Sequence, residues 1–277
     1  MEQNNNSQDA KPWGHVLKVG DDHEPLFYES DAAELHDLNS LRQKVEPWLT
    51  ALFQNEHLNL LAGSGLTSAV CQLAASSSGA TMENVSFSLY EEQLNKASQE
   101  SAIAAGRSTD NIEDQIRTAN KLIEGLEILE QNGTNYHSTT VKSELNAVLN
   151  NLILSVLKTE SMIDLANTPR RGFDGAAKCL MSFLLSFASR TASRDRLHVF
   201  TTNYDRLIEW GADMAGIRLM DRFVGTLTPV FRSSRIDLDM HYSPPGVRGE
   251  PRYLEGLARY TKLHGSLDWS YQNRHVR

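Results

Sequence analysis

The sequence has few cysteines, no long apolar run and no excess of basic residues, and each shortage excludes a class of protein. Its 277 residues include only two cysteines, Cys71 and Cys179, which are too few for a disulfide framework or a four-thiolate zinc site. Both lie in apolar, helix-like stretches and are expected in the core. No stretch approaches the roughly 18 to 20 consecutive apolar residues that cross a bilayer, so no membrane segment is expected.

The charge balance is acidic, with 35 Asp and Glu against 27 Lys and Arg and a formal net charge of -8. Such a surface repels a phosphate backbone unless basic residues are concentrated locally. The only dense basic cluster is Arg190, Arg194 and Arg196, so direct nucleic-acid binding is not expected. The first residues, Met1 to Lys11, are polar and Asn-rich, unlike a signal peptide, which predicts a cytoplasmic location.

Apolar spacing predicts how the chain is organised. Residues 1–30 are expected to form an irregular arm whose first eleven residues are disordered, and 31–277 are expected to form one domain. A helix begins near Asp31, with Pro47 marking a kink or a junction. Between about residues 85 and 195 the apolar positions follow helical spacing, with breaks at Asn132-Gly133 and in the segment 168–172. This region is predicted to be an inserted helical bundle.

Three short apolar runs end in small, polar loops, and two of these loops lead into a helical pattern. The runs are 58–62, 197–200 and 260–263. Residues 222–262 otherwise suggest short strands and loops. Strands that alternate with helices predict an α/β fold, here a Rossmann-like parallel sheet with a large inserted helical bundle. Since open α/β sheets bind ligands at the carboxyl ends of their strands, the three loops are candidate site elements.

The first loop, Gly63-Ser64-Gly65, lacks bulky side chains and precedes a helix. Its backbone amides could approach a pyrophosphate at the helix N-terminus, although a plain tight turn is an equally good interpretation. Ser68 stands where a dinucleotide fingerprint has its third glycine, and no Gly-Lys-Ser/Thr follows, which excludes a P-loop.

The other two loops carry groups that can hold and deprotonate a substrate. The segment Thr201-Thr202-Asn203-Tyr204-Asp205 could hold ribose hydroxyls and a water, whereas Asn203 or Asp205 could instead cap the next helix. His264 precedes Gly265, and an imidazole titrates near neutrality, as a general base should. The chain has nine histidines, however, and any one of them is more often an ordinary surface or core residue.

Together the three loops resemble the sirtuin family. The matching segments are Ala62-Gly63-Ser64-Gly65-Leu66-Thr67, Thr201-Thr202-Asn203-Tyr204-Asp205 and His264-Gly265. The resemblance implies that NAD is the substrate and that Asn203 and His264 are catalytic, with Asn203 ordering a water and His264 acting as the base. It also implies NAD-binding roles, at the pyrophosphate for the first loop and at the ribose for Asp205; the residues concerned are Ala62, Gly63, Ser64, Gly65, Thr202 and Asp205.

Two features indicate which branch of that family the chain resembles. The family's protein deacylases carry four zinc-binding cysteines after the His-Gly, but this chain has no cysteine after Cys179, so no zinc is expected. The predicted helical bundle between the first two motifs, and the ending Lys262-Leu263-His264-Gly265-Ser266-Leu267-Asp268-Trp269, are similar to sirtuin-like NADases of bacterial antiphage defence. Sirtuin-like domains normally continue with strands that contact the adenosine half of NAD. The expected reason for the difference is that the chain is a fragment lacking its C-terminal strands, and the alternative is a protein that completes its sheet differently.

The implied function is hydrolysis of NAD to nicotinamide and ADP-ribose by a regulated antiphage effector that depletes NAD, as in abortive infection. Restraint would come from a homo-oligomer, a partner ATPase or helicase, or a sensor domain. Three alternatives remain. They are an NAD-dependent protein deacylase, a non-catalytic module that binds NAD or ADP-ribose for assembly, and an α/β protein whose loops are only turns and caps.

Overall fold

The computed structural model describes residues 15–17, 26–28, 35–75, 77, 79–166, 175–191, 193–234, 239–243, 249, 252–272 and 275–277. The expected disorder of residues 1–11 and the loop at 168–172 lie outside these residues. Contacts divide the chain into two compact units, Met1–Leu58 and Asn59–Arg277. The predicted domain, 31–277, and its predicted insertion, about 85–195, stay predictions.

The first unit contains two strands and one helix. Strands β1 (His15–Leu17) and β2 (Leu26–Tyr28) pair antiparallel, within a segment for which the sequence predicts irregular structure. Three-residue strands are too short to show the alternation by which a strand is recognised. Helix α1 (Leu35–Phe53) continues through Pro47.

The second unit contains a four-stranded parallel sheet. Its strands are β3 (Asn59–Ala62), β4 (His198–Thr201), β5 (Arg218–Met220) and β10 (Leu257–Lys262), in the spatial order β3-β4-β10-β5. All three pairings are parallel, and Ala62, Thr201 and Lys262 lie side by side at the carboxyl edge. The α/β class and the parallel sheet are therefore confirmed.

Six further helices belong to the described part of this unit. They are α2 (Ser64–Ala75), α3 (Glu91–Ala104), α4 (Ile112–Glu130), α5 (Ser138–Ala166), α6 (Ala176–Ala188) and α7 (Leu207–Met214). Gly211 of α7 packs so closely on α6 that a Cβ there would lie 2.7 Å from Cδ2 of Leu180. None of the described helices is long and apolar enough to cross a membrane.

Helices α3, α4 and α5, called the helical block below, share one apolar core. Leu94, Ile123 and Val141 are buried there, with Phe87 from the preceding loop. The apolar positions of α4 recur at helical spacing, which is why the sequence predicts this helix correctly. The block contacts α2 through α5, so it is packed against the helix that follows the first predicted site loop.

Short antiparallel pairs complete the unit. They are β6 (Phe223–Val224) with β7 (Val230–Phe231), β8 (His241–Tyr242) with β9 (Arg252–Tyr253), and β11 (Tyr271–Gln272) with β12 (His275–Val276).

One sequence expectation on the cysteines is wrong. Cys71 is fully buried, but Cys179 is exposed. The buried face of α6 is formed by Ala177, Leu180 and Leu184, and this spacing turns residue 179 toward the opposite side of the helix.

Candidate functional site

The parallel register brings the three predicted loops to one edge of the sheet. Ala62 pairs with Thr201, and Thr201 pairs with Lys262, so the chain leaves all three strands at the same level. The backbone N–H of Leu263 donates to the carbonyl oxygen of Thr201 at 2.8 Å, which extends this alignment past the strand ends.

A cavity of about 250 Å³ opens at this edge. Of the predicted site residues, five line it: Ser64, Thr202, Asn203, Asp205 and His264. Ala62, Gly63 and Gly65 lie beside it without being part of its lining. The helical block contributes the opposite wall, through residues that include Glu113, Val156 and Thr159. The site is therefore built from the sheet edge and the helical block together.

Asn203 links the first two loops. Its Nδ2 donates to the carbonyl oxygen of Gly63 at 3.0 Å and to Oγ1 of Thr67 at 2.9 Å. Its backbone N–H donates to Oγ1 of Thr201 at 3.1 Å. An amide has two N–H donors and one carbonyl oxygen. The two side-chain bonds use both donors, and no described residue donates to Oδ1, which is therefore available to a ligand.

Asp205 has a demonstrable structural role. Its Oδ2 accepts a hydrogen bond from Oγ1 of Thr67 at 2.6 Å, and its Oδ1 accepts one from the backbone N–H of Leu207 at 3.2 Å. The second bond satisfies a free donor in the first turn of α7, which is the capping alternative considered for this residue. A ribose contact would have to use the remaining lone pairs of the carboxylate.

Helix α2 begins at Ser64, within the glycine loop. The backbone N–H of Leu66 donates to the carbonyl oxygen of Gly63 at 3.0 Å, which closes the turn. At Gly65 an added Cβ would meet no heavy atom of the described residues within 4 Å, apart from its chain neighbours and the backbone of its own helix. The protein itself thus gives no packing reason for glycine at residue 65.

His264 lies at the rim of the cavity, with 44% of its side chain exposed. Its ring faces Tyr204, with 6.4 Å between the ring centroids. Its Nδ1 lies 3.6 Å from Oε1 of Glu113, the residue that also accepts a hydrogen bond from the Tyr204 hydroxyl at 2.9 Å. Burial, followed by the hydrogen bond to Glu113, raises the pKa of Tyr204, so its hydroxyl keeps its proton.

Lys262 links the second and third loops by hydrogen bonds. Its Nζ donates to the carbonyl oxygen of Asp205 at 2.6 Å and to Oγ of Ser266 at 2.7 Å, and it pairs with Oε1 of Glu209 at 3.0 Å. Only 1% of the lysine side chain is exposed. The ammonium group is therefore a structural link between the loops rather than a surface charge.

The sequence alone assigns no role to three important residues. Thr67 shows only as a polar residue on the buried face of α2, next to the glycine loop. Lys262 could have been suspected, because a lysine inside an apolar strand needs partners. Glu113 has no such signal, since nothing in the sequence relates the first turn of α4 to Tyr204, 91 residues further along the chain, or to His264, 151 residues further along.

A second cavity of about 240 Å³ lies on strands β4, β5 and β10, away from these loops. Its lining includes His198, Arg218, Arg222 and Arg259. Burial, together with Arg259 and Arg222, lowers the pKa of His198. None of the predicted site residues lines this cavity, so the cavity at the sheet edge is the candidate site.

Within the described residues, no group of three or more His, Cys, Asp and Glu side chains could hold a metal ion. Comparison with models of known protein families gives no match. Comparison with curated proteins gives no significant match either. A function is therefore proposed from the fold, the site geometry and the resemblance of the three loops.

Proposed function

We propose that this chain is a sirtuin-like NAD hydrolase with a Rossmann-like sheet and an inserted helical bundle. The observation that carries the proposal is the convergence of Ser64, Asn203 and His264 on one cavity at the carboxyl edge of the sheet. These loops come from three separate strands, and their meeting at a ligand-binding edge is what an α/β nucleotide site requires.

Each group has a task that its geometry allows. The N-terminus of α2 at Ser64 and Gly65 presents backbone amides to the pyrophosphate, where the helix dipole favours negative charge. Oδ1 of Asn203 accepts a hydrogen bond from a water near the nicotinamide ribose. That water attacks C1′ as the bond to nicotinamide breaks, and His264 takes the water's proton, giving ADP-ribose and nicotinamide.

The proposed biological role is NAD depletion by an antiphage effector, as the sirtuin-like motifs imply. Free turnover would harm the host cell, so the activity must be restrained. A homo-oligomer, a partner ATPase or helicase, and a sensor domain are the proposed means of restraint.

The test is incubation of the purified chain with NAD, followed by chromatography of nicotinamide and ADP-ribose. We expect equimolar products, and a fall of about 10²–10⁴-fold in His264→Ala, the usual contribution of a positioned base. Asn203→Ala should also lose turnover. His241→Ala is the matched control, because His241 is exposed on β8 and lies outside the cavity.

The alternatives give different results in the same assay. A deacylase would form nicotinamide only with an acylated peptide and would release acylated ADP-ribose. A non-catalytic module would bind NAD, and go on binding it in His264→Ala, without forming products. Absence of both binding and turnover in a folded chain would reject the proposal.

A further inference from the structure

The helical block brings one carboxylate into the candidate site. Glu113 lies in the first turn of α4, and its side chain, which is 26% exposed, lines the cavity. Its Oε1 accepts the hydrogen bond from the Tyr204 hydroxyl at 2.9 Å and lies 3.6 Å from Nδ1 of His264. A single carboxylate oxygen thus faces both a residue of the second loop and the proposed base in the third.

The start of α4 is held firmly, so the position of Glu113 is fixed by its own helix. Oδ1 of Asn111 accepts hydrogen bonds from the backbone N–H groups of Glu113 at 3.0 Å and Asp114 at 3.2 Å. Asp114 in turn accepts from the backbone N–H of Asn111 at 3.2 Å, which completes a capping box. The N-terminal end of a helix also favours a negative charge such as that of Glu113.

Ion pairs of Asp114 also hold this turn in place. The carboxylate of Asp114 is fully buried and pairs with Arg107 at 2.7 Å and with Arg117 at 3.3 Å. Although burial opposes its charge, the hydrogen bonds from Arg107 and from the Asn111 backbone lower the pKa of Asp114. The turn that carries Glu113 is therefore tied into the helical block by charged hydrogen bonds, which restricts where its carboxylate can move.

We propose that Glu113 is a positioning residue for His264, a role that rests on the proposed hydrolase function. Nδ1–H of His264 donates to Glu113, which leaves Nε2 without a proton and able to accept one from the attacking water. When Nε2 takes that proton the ring becomes a cation, and the neighbouring carboxylate stabilises it. Active sites commonly orient a base through a third group in this way.

The distance in the structure is compatible with this role. At 3.6 Å the Nδ1 to Oε1 separation exceeds the roughly 3.2 Å limit of a good N–H to O hydrogen bond. Such bonds are often long without substrate and shorten in the reacting complex. His264 is at the rim and can move toward a carboxylate that Tyr204 and the capping box hold in place.

A purely structural role for Glu113 predicts something different. If the residue only ties α4 to the second loop through Tyr204, its loss would loosen the cavity wall and weaken NAD binding. KM would then rise, and the protonation of the His264 ring would not change. A positioning role instead predicts a fall in kcat and a change in which ring nitrogen carries the proton.

The experiment compares the full chain with Glu113→Gln and Glu113→Ala, using Glu124→Gln as the matched control on an exposed position of α4. We expect kcat to fall about 10- to 100-fold in Glu113→Gln with KM within about threefold, by analogy with residues that orient a metal-binding side chain. Glu124→Gln should keep the parental constants. Because Gln is nearly isosteric with Glu, the melting temperature of Glu113→Gln should stay close to that of the parent.

The second readout does not depend on turnover. Selective ¹⁵N labelling of histidine, with the His264 signal assigned by its loss in His264→Gln, reports the ring tautomer by NMR. We expect the Nδ1-protonated form in the parent and a smaller share of it in Glu113→Ala. An unchanged tautomer or an unchanged kcat in Glu113→Ala would overturn the inference. A parent that cleaves no NAD counts against the hydrolase function, while the NMR comparison still decides the His264–Glu113 pair.

Discussion

Asn203 performs two tasks with one amide group. Its two N–H donors fix the first loop through Gly63 and the helix that follows through Thr67, at 3.0 and 2.9 Å. Thr67 passes this constraint on to Asp205 by donating to its carboxylate. A buried polar group of this kind is stable because its hydrogen bonds are made. The side-chain carbonyl is consequently oriented by the protein before any ligand arrives.

The sequence shows Asn203 and Asp205 as candidates but cannot divide their roles. Both residue types cap helices and both bind hydroxyls, so the pattern alone leaves either task to either residue. The structure shows that Asp205 accepts from the first turn of α7 and from Thr67, whereas Asn203 links two loops. Such a division depends on residues far apart in the chain, which local patterns do not contain.

Gly65 gives a prediction at this scale, because a Cβ there would contact nothing in the described part of the chain beyond its own helix and chain neighbours. Gly65→Ala should leave the fold intact and stabilise it by about 0.5–1 kcal/mol, as alanine does in helices. If pyrophosphate approaches this backbone, the added methyl group should raise KM for NAD about tenfold, which corresponds to about 1.4 kcal/mol of binding free energy. Thermal unfolding and steady-state kinetics measure the two effects.

Gly125→Ala is the control for this change, since Gly125 is an exposed helical glycine of α4 at which a Cβ likewise meets nothing. It should show the same gain in stability with an unaltered KM. Equal KM values in the two variants would mean that the ligand does not approach Gly65.

At the scale of elements, the buried Lys262 side chain links the loops that follow β4 and β10 by hydrogen bonds. Lys262, the last residue of β10, places its ammonium group against the carbonyl oxygen of Asp205 and against Ser266. Glu209 on α7 balances its charge. Burial raises the pKa of Glu209, and the charge of Lys262 acts against this shift. The pair thus connects two loops and a helix.

Lys262→Met should destabilise the protein by about 3 kcal/mol at neutral pH, since it leaves Glu209 and a loop carbonyl without their donor. Without the lysine, burial raises the pKa of Glu209 further. A carboxyl whose pKa is raised by folding binds its proton more tightly in the folded state, so the cost of its charge falls as the pH drops through that pKa.

The difference in the free energy of unfolding between the parent and Lys262→Met, called the stability gap below, should therefore be largest at neutral pH and smaller in acid. Urea unfolding at several pH values between about 4 and 7.5 measures this gap. A gap that stays constant with pH would show that the ion pair with Glu209 does not contribute, and that the loss comes from the loop hydrogen bonds alone.

The sequence predicts elements better than their arrangement. Strands β3, β4 and β10 were predicted because apolar runs end sharply at small polar residues, and α4 because its apolar positions recur at helical spacing. Strand β5 has three residues and follows α7 after a short turn, which is too little for a pattern to show. The position of Glu113 depends on how the helical block packs against the sheet edge, which is a property of tertiary contacts.

At the scale of the whole molecule, the candidate site spans two structural layers of the second unit. One wall is the carboxyl edge of the sheet, and the other is formed by α4 and α5 through Glu113, Val156 and Thr159. A ligand that binds in this cavity must contact both walls. The helical block would then not only extend the fold but also complete the site.

Amide hydrogen exchange with NAD can test this, using His264→Ala so that the ligand is not consumed. Binding stabilises the bound state by about 2.7 kcal/mol at a hundredfold excess over Kd. Exchange through local opening should then slow by up to about 100-fold in both walls, over residues 64–68, 201–205 and 111–116. The far end of α4, near Glu130, should exchange as before, since it lies beyond the cavity lining. Slowing confined to the sheet loops would mean that the helical block does not take part in ligand binding.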